Sequence, residues 1–205
     1  MRQLTDKERK EAGLPYHYDT LGMMEGQYEY QELLYDFNLT RPTEPEKKQA
    51  LMKKMFAKVG ENCHIETPIH ANWGGHHVHL GNGIYCNSGV TFVDDADIYI
   101  GDYCLIAPNV VFSTSGHPTL PILRMNHYVY NIPITVGKNV WIGSGAQIMP
   151  GVHIGDNSVI GAGSVVTGDI PANVVAHGVP CRVIREISEK DQEFFWRNRK
   201  LDVWE

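Results

Sequence analysis

From Val136 onward an aliphatic residue recurs at every sixth position: Val136, Ile142, Ile148, Ile154, Ile160 and Val166. The residue that follows is mostly glycine (Gly137, Gly143, Gly155, Gly161), and the residue four places on is small or β-branched (Val140, Ala146, Val152, Ser158, Ser164, Ile170). An α-helix turns each sixth residue about 120° away from the one before, so no helix keeps this series on one face. Short strands joined by turns do. Each hexapeptide then supplies one flat strand and one turn, with the aliphatic side chain pointing inward and glycine taking backbone angles closed to other residues. Stacked units build a prism around a column of aliphatic side chains. An earlier block follows the same scheme with Leu80, Cys86 and Phe92 and then, after a slip in register, Ile100, Ile106 and Phe112. The period is interrupted between Ser113 and Asn131, which predicts an inserted loop over residues 113–131.

The flanks have a different texture. Thr5-Asp6-Lys7-Glu8 and Thr43-Glu44-Pro45-Glu46 both have capping-box form, the second with proline in the first turn, where its missing N–H costs nothing. Behind the second box Leu51, Met52, Met55, Phe56 and Val59 recur at helical spacing, and Gly60 is placed to end the run. Tyr16, Tyr18, Tyr28, Tyr30 and Tyr35 suit a core, an interface or a sugar-stacking platform, and periodicity does not choose among them. After Ser188 and Asp191, at cap spacing, the run Phe194, Phe195, Trp196 and Leu201 predicts a short docking helix. The expected organisation is a helical segment over 1–60, a repeat domain over 61–185 and a helical tail over 186–205.

Charge narrows the partners. Between Glu61 and Cys181 the only cations are Arg124 and Lys138, against eight carboxylates, and outside that stretch the signs balance at sixteen each. No basic stripe exists of the kind phosphate-backbone binding requires, so nucleic acid is excluded as an expected partner. No apolar run approaches the length of a membrane span, and the polar opening Met1-Arg2-Gln3-Leu4-Thr5-Asp6-Lys7-Glu8 lacks secretory-signal character, so a cytoplasmic protein is expected. Cys63, Cys86, Cys104 and Cys181 lie far apart with no C-x-x-C pair and are expected as free buried thiols.

Beyond the repeat, the chain carries Asn87, Asp94-Asp95, Ile100-Gly101-Asp102, Leu105-Ile106-Ala107-Pro108-Asn109, Gly116-His117-Pro118, Val140-Trp141-Ile142-Gly143, the run Gly155 to Thr167, and Gly178-Val179-Pro180-Cys181-Arg182-Val183-Ile184. In this order the motifs resemble the galactoside and maltose O-acetyltransferases, hexapeptide-repeat acyltransferases with a left-handed parallel β-helix. Tyr35-Asp36-Phe37-Asn38 and Met55-Phe56-Ala57 extend the resemblance over nearly the whole chain. It implies a homotrimer with active sites between subunits, direct acetyl transfer from acetyl-CoA to a carbohydrate hydroxyl, and no metal.

His117 opens the interrupted stretch, where a loop projects from a rigid coil. A histidine titrating near neutral pH can take a proton from a sugar hydroxyl, and a loop histidine held for structure fits the residue type equally well. The resemblance implies the base. By the same resemblance Asp19, Asn87 and Asp95 fall at acceptor positions, and Trp141 flanks the acceptor or the donor tunnel. Ser144, Ala162, Thr167 and Gly168 fall at donor positions, and Arg182 and Arg185 are placed to meet the phosphates of coenzyme A. A backbone N–H near Ser144 is a candidate for the thioester oxyanion. Gly168 stands where the family often carries lysine, and the surroundings of Trp73 and Val129 depart from the galactoside enzymes. Cys86 and Cys104 occupy inward repeat positions, so neither is expected as a nucleophile. Adjacent residues of an extended segment face opposite ways, which argues against Asp94 and Asp95 as a hydrolytic pair and against His76, His77 and His79 as one zinc site. A carbonic-anhydrase-like lyase, a non-catalytic scaffold, and other acceptors (serine, an aminosugar, an antibiotic hydroxyl) are the competing readings.

Overall fold

The computed structural model describes residues 3–18 and 20–203. Its body is a parallel β-helix of three sheets visited in strict rotation. The first face stacks Lys58–Val59, Val78–Leu80, Ile98–Ile100, Ile134–Val136 and His153–Ile154. The second stacks His64–Ile65, Tyr85–Cys86, Leu105–Ile106, Trp141–Ile142, Val159–Ile160 and Val174–His177, closed by antiparallel Arg182–Glu186. The third stacks His70–Ala71, Thr91–Val93, Val111–Ser113, Gln147–Ile148 and Val165–Val166. Registers are in phase, Ile106 over Cys86 and Ile142 over Ile106, so like residues lie on like.

The sixth-position residues are the core. Leu80, Phe92, Ile106, Phe112, Ile142, Ile148, Ile154, Ile160 and Val166 are buried, and so are the residues four places on, Ile84, Val90, Cys104, Val110, Val140, Ala146 and Val152. Burying each such Ile, Leu or Phe is worth about 1.5–3 kcal/mol, and Phe92 and Phe112 stack at 5.5 Å between centroids. The repeat begins one coil earlier than the sequence reading placed it. Val59, Ile65 and Ala71 carry the same period, and Lys58–Val59 already pairs with His79-Leu80. Gly60 is therefore a coil corner and not a helix stop: a Cβ there would lie 2.4 Å from the Gly81 carbonyl oxygen.

Helix α1 spans Asp6–Glu11, and its capping box forms as expected: Glu8 N–H donates to Thr5 Oγ1 at 3.3 Å and Thr5 N–H to the Glu8 carboxylate at 2.9 Å. Helices α2 (Thr20–Asn38) and α3 (Pro45–Met55) cover the open end of the core with Leu34, Phe37, Leu51, Met52 and Met55. The second capping box does not form. Glu44, not Thr43, is the residue before the helix, and its carboxylate accepts the Arg41 N–H at 2.9 Å, closing the preceding turn. Helix α3 ends at Met55, where Phe56 turns extended to enter the first coil.

The insertion leaves the third face after Ser113 and holds Ser115–Gly116, helix α4 (Pro121–Met125) and Tyr128–Asn131, with the two strands paired antiparallel. Tyr16–His17 adds to the far side of Tyr128–Asn131, Tyr16 opposite Val129. At the other end helix α5 is a single turn, Lys190–Glu193, and the aromatic run beyond it forms a hairpin, Phe194–Trp196 with Arg199–Lys200, in place of a longer helix. Among the described residues no helix is long and apolar enough to cross a membrane.

Candidate active site

The rotation of strands gives the prism three edges, and two of them carry the expected site residues. The third edge, where each coil returns from the third face to the first, stacks the Trp73–His77 turn, Asp94–Asp97 and the insertion. Asp94 is fully buried and accepts the N–H groups of Trp73 at 2.7 Å and Gly75 at 3.0 Å, pinning the turn of the preceding coil. Burial raises the pKa of its carboxyl, against the pull of the Trp73 N–H. Asp95 points the other way, as alternation requires. Its carboxylate accepts Asn72 Nδ2 at 2.9 Å and the Trp73 indole N–H at 3.4 Å. Asp94 thus anchors the turn from which the Trp73 indole reaches Asp95.

His117 and Asp95 line one cavity of about 160 Å³ together with Tyr16, Tyr18, Asn72, Val129 and Asn131. Gly116 before it lets the Tyr130 ring pack close, since a Cβ there would lie 2.4 Å from its Cζ and displace the ring. His117 Nδ1 lies 3.4 Å from the Tyr128 carbonyl oxygen. Of the two neutral tautomers, only the one with the proton on Nδ1 can donate to this carbonyl, and in that tautomer Nε2 carries the lone pair. Tyr16 is buried, accepts Asn131 Nδ2 at 2.7 Å, and has its phenol raised chiefly by burial and next by Asp95. Thr167 and Gly168 continue this third edge on the coils beyond, exposed, and a Cβ at Gly168 would meet nothing within 4 Å.

Asn87, Ser144 and Ala162 lie on the second edge, between the second and third faces, so one chain does not bring them to His117. Asn87 Oδ1 accepts the Ser88 N–H at 2.8 Å, a turn-closing bond. Ser144 and Ala162 are exposed on successive coils, where Gly143 passes so close beneath that a Cβ would lie 2.5 Å from the Ala162 nitrogen. Gly145 and Gly163, at positive φ on the same edge, also face open space. The edge therefore presents bare backbone, which suits a thin polar chain such as pantetheine.

Trp141 is 53 % exposed on the outer side of the second face, in register with Tyr85, Leu105, Val159 and Val175. Arg182 gives one N–H to the Cys181 carbonyl and is otherwise exposed. The Arg185 guanidinium, half exposed, is held by both carboxylate oxygens of Asp191 at 2.7 Å. That bond, with the Ser188 N–H, pulls the Asp191 carboxyl down to about 2. Asp19 lies outside the described residues.

The cysteines are buried and unpaired, and burial pushes Cys86 up to about 12 and Cys104 to about 11, far from a reactive thiolate. The histidine cluster is dispersed: His76 stacks on Tyr30 at 4.0 Å, His77 Nδ1 meets the Asp94 carbonyl at 2.6 Å, and His79 pairs with Asp97 at 2.8 Å. Asn72 and Asn131 were not singled out by sequence reasoning, and Tyr16 and Tyr18 were left open among core, interface and sugar platform. The strand pairing that assembles them joins residues more than a hundred positions apart, and the alternation Val129, Asn131 along one strand was the available signal.

A prism of six-residue repeats with open backbone along its edges is the architecture of hexapeptide transferases. Residues 133–168 match the family model for bacterial transferase hexapeptides (six repeats), and residues 9–60 match the maltose acetyltransferase hexapeptide capping motif. The galactoside O-acetyltransferase of Escherichia coli (strain K12) is 50 % identical over 95 % of this chain and 96 % of its own length. A galactoside acetyltransferase solved in complex with coenzyme A superposes with a TM-score of 0.93 at 48 % identity, covering 98 % of this chain and all of that one. A maltose O-acetyltransferase from Clostridium difficile 630 superposes with a TM-score of 0.85 at 40 % identity, over 91 % of this chain and all of that one. The chain belongs to this galactoside and maltose O-acetyltransferase family, acetyl-CoA-dependent enzymes built on a left-handed parallel β-helix.

Proposed function

We propose that the protein transfers acetyl directly from acetyl-CoA to a hydroxyl of a sugar, with His117 as general base. The observation that carries this reading is the cavity that Asp95 and His117 line together, with Nδ1 of His117 near a carbonyl, so that the neutral ring would present Nε2 as acceptor. Asp95, and Asn87 from a neighbouring subunit, hold acceptor hydroxyls, and Asp19 joins them by family position. His117 takes the proton of one hydroxyl as its oxygen attacks the thioester carbonyl. The new C–O bond forms, the C–S bond breaks, and the proton passes from His117 to the departing thiolate. The buried, high-pKa cysteines offer no covalent alternative. The carbohydrate acceptor is supported by the names of the relatives and by the polar and aromatic lining of the cavity.

The active enzyme is a homotrimer in this reading. Two observations support it. The site is split between two edges of one chain, His117, Asp95, Thr167 and Gly168 on the third and Asn87, Ser144 and Ala162 on the second. A groove between neighbours restores both halves. The second face also exposes an apolar ladder, Tyr85, Leu105 and Trp141 at 38 %, 50 % and 53 %, of the kind that marks an interface. Arg182, at the end of the second face, is the cation offered to the donor phosphates. Four unpaired cysteines accord with a cytoplasmic setting.

The test is thiol release from acetyl-CoA with a chromogenic reagent across sugars, aminosugars and serine. Release that depends on a sugar is the expected result. Release with serine or aminosugar alone overturns the carbohydrate assignment, and a burst of acetyl-enzyme on rapid mixing overturns direct transfer.

A further inference from the structure

The bare backbone of the second edge comes to an end, and a histidine stands there. Backbone bonds stack this edge one coil on the next: the Asn87 N–H donates to the Ile106 carbonyl, Ala107 to Ile142, Gly143 to Ile160 and Gly161 to Ala176. Asn87, Ala107, Gly143, Gly161 and His177 therefore form one column, each following the inward residue of its strand. The three in the middle carry at most a methyl group. His177 is exposed and sits directly over Gly161, where an added Cβ would lie 2.6 Å from its own.

Nothing within the chain accounts for this side chain, whose imidazole makes no hydrogen bond, ion pair or ring contact among the described residues. Its partner across the closing strand pair is Arg182, and residues directly opposite in such a pair project to the same side. A free imidazole and a guanidinium thus emerge together where the column stops. Length and charge connect them to the donor. Four coil steps separate Asn87 from His177, about 19 Å at the ordinary strand spacing. An extended pantetheine arm spans about 15 Å from sulfur to phosphorus, at the roughly 3.5 Å per three bonds of a polypeptide. With the thioester at the Asn87 end, the phosphates arrive within one coil of His177. Other cations are engaged elsewhere: Lys138 pairs with Asp102 at 3.3 Å on the first edge, Arg124 bonds the Pro118 and Thr119 carbonyls in the insertion, and Arg185 is held by Asp191.

We infer that His177 is a donor-binding residue, giving a ring N–H to a phosphate oxygen of acetyl-CoA beside Arg182 and so setting how far along the edge the donor sits. Peptide groups that recur at every coil hold a thin arm equally well one step up or down. A histidine and an arginine at one end remove that ambiguity, because only one placement brings the phosphates to them and the thioester to the level of Asn87. The inference rests on the donor reading above and sharpens it.

The experiment measures kcat/KM for acetyl-CoA and for S-acetylpantetheine, which carries the thioester and the arm but no phosphate. It uses one sugar acceptor, with wild type, His177→Ala and His177→Arg, and calorimetric titration of each protein with coenzyme A. His177→Ala should lower kcat/KM for acetyl-CoA about tenfold, the size of one hydrogen bond to a charged group, and weaken coenzyme A binding about as much. Its kcat/KM for S-acetylpantetheine should stay within about twofold of wild type, which also shows that the variant is folded and assembled. Arginine at the position should restore acetyl-CoA. An alanine variant with wild-type kcat/KM and affinity for coenzyme A, or one that loses both donors equally, would overturn the role of His177 and leave acetyl transfer standing. No thiol release from either donor in the wild type would overturn both.

Discussion

Asp94 never touches the acceptor in this account, yet its removal should be felt at the active site. The carboxylate is fully buried and accepts the N–H groups of Trp73 at 2.7 Å and Gly75 at 3.0 Å. Asp94→Ala leaves both donors buried without a partner, and at about 1–3 kcal/mol each the loss is about 4 kcal/mol. Asp94→Asn keeps one acceptor oxygen and turns an NH₂ toward the other donor, so its cost should be about half, near 2 kcal/mol. The turn released is the one whose Asn72 and Trp73 side chains hold Asp95, so the acceptor KM should rise in both variants while the KM for acetyl-CoA holds. Urea unfolding at fixed protein concentration gives the stability difference, and steady-state kinetics with each substrate varied gives the split. Alanine and asparagine variants both within 1 kcal/mol of wild type would refute the anchoring role. A rise in both KM values together would refute its direction.

Leu105→Glu places a charge in the apolar ladder of the second face, and burying it at a subunit contact costs several kcal/mol per copy; sedimentation should show monomers without activity, and a persistent trimer or an active monomer would sink the composite site. Asn157 sits at φ 59° in a side-chain ladder, accepting Asn139 Nδ2 at 3.1 Å and donating to Asn173 Oδ1 at 2.9 Å. Asn157→Ala should cost about 2 kcal/mol, combining lost bonds with the left-handed strain of a Cβ, while Asn157→Gly keeps the backbone relaxed and should cost about 1 kcal/mol; thermal unfolding of both checks the order, and a glycine variant weaker than alanine contradicts it. Asp191 has a folded-state pKa depressed to about 2, so the unfolded tail binds the proton more readily. Its contribution is present above the ordinary carboxylate range and is lost as pH falls toward 2. Protection factors across residues 182–200, taken from exchange corrected for its intrinsic pH dependence, should fall over that interval in wild type and change less in Asp191→Asn.

The repeat was legible because each coil repeats one demand, an aliphatic residue inward at every sixth place, and Val136 to Val166 meet it without relief. Its first turn was hidden by a coincidence. Val59 lies four residues after Met55, so it satisfies the helical series of α3 and the six-residue series of the solenoid together, and Gly60 suits both a helix end and a coil corner. Only the approach of the Gly81 backbone decides between them. His117 and Asp95 were legible from motif and resemblance, but their neighbours were not. Tyr16 joins the site by pairing with Val129, and Asn131 by reaching back to Tyr16, contacts that no local pattern encodes. Arg185 was singled out by its place after a cation-poor stretch, and its ion pair with Asp191 on the one-turn helix was not readable from that composition. The aromatic run Phe194–Trp196 carries strand propensity, which prevailed over the helical reading of the tail.

The central claim is that His117 removes the acceptor proton during direct transfer. Its most direct measurement is the single-turnover rate of sugar acetylation at saturating acetyl-CoA, in wild type and in His117→Ala. The native cysteines are buried, so thiol release reports coenzyme A alone. The account predicts a fall of about 10²–10⁴-fold in the rate with acetyl-CoA binding retained. A variant within a few-fold of wild type, binding both substrates, would contradict it.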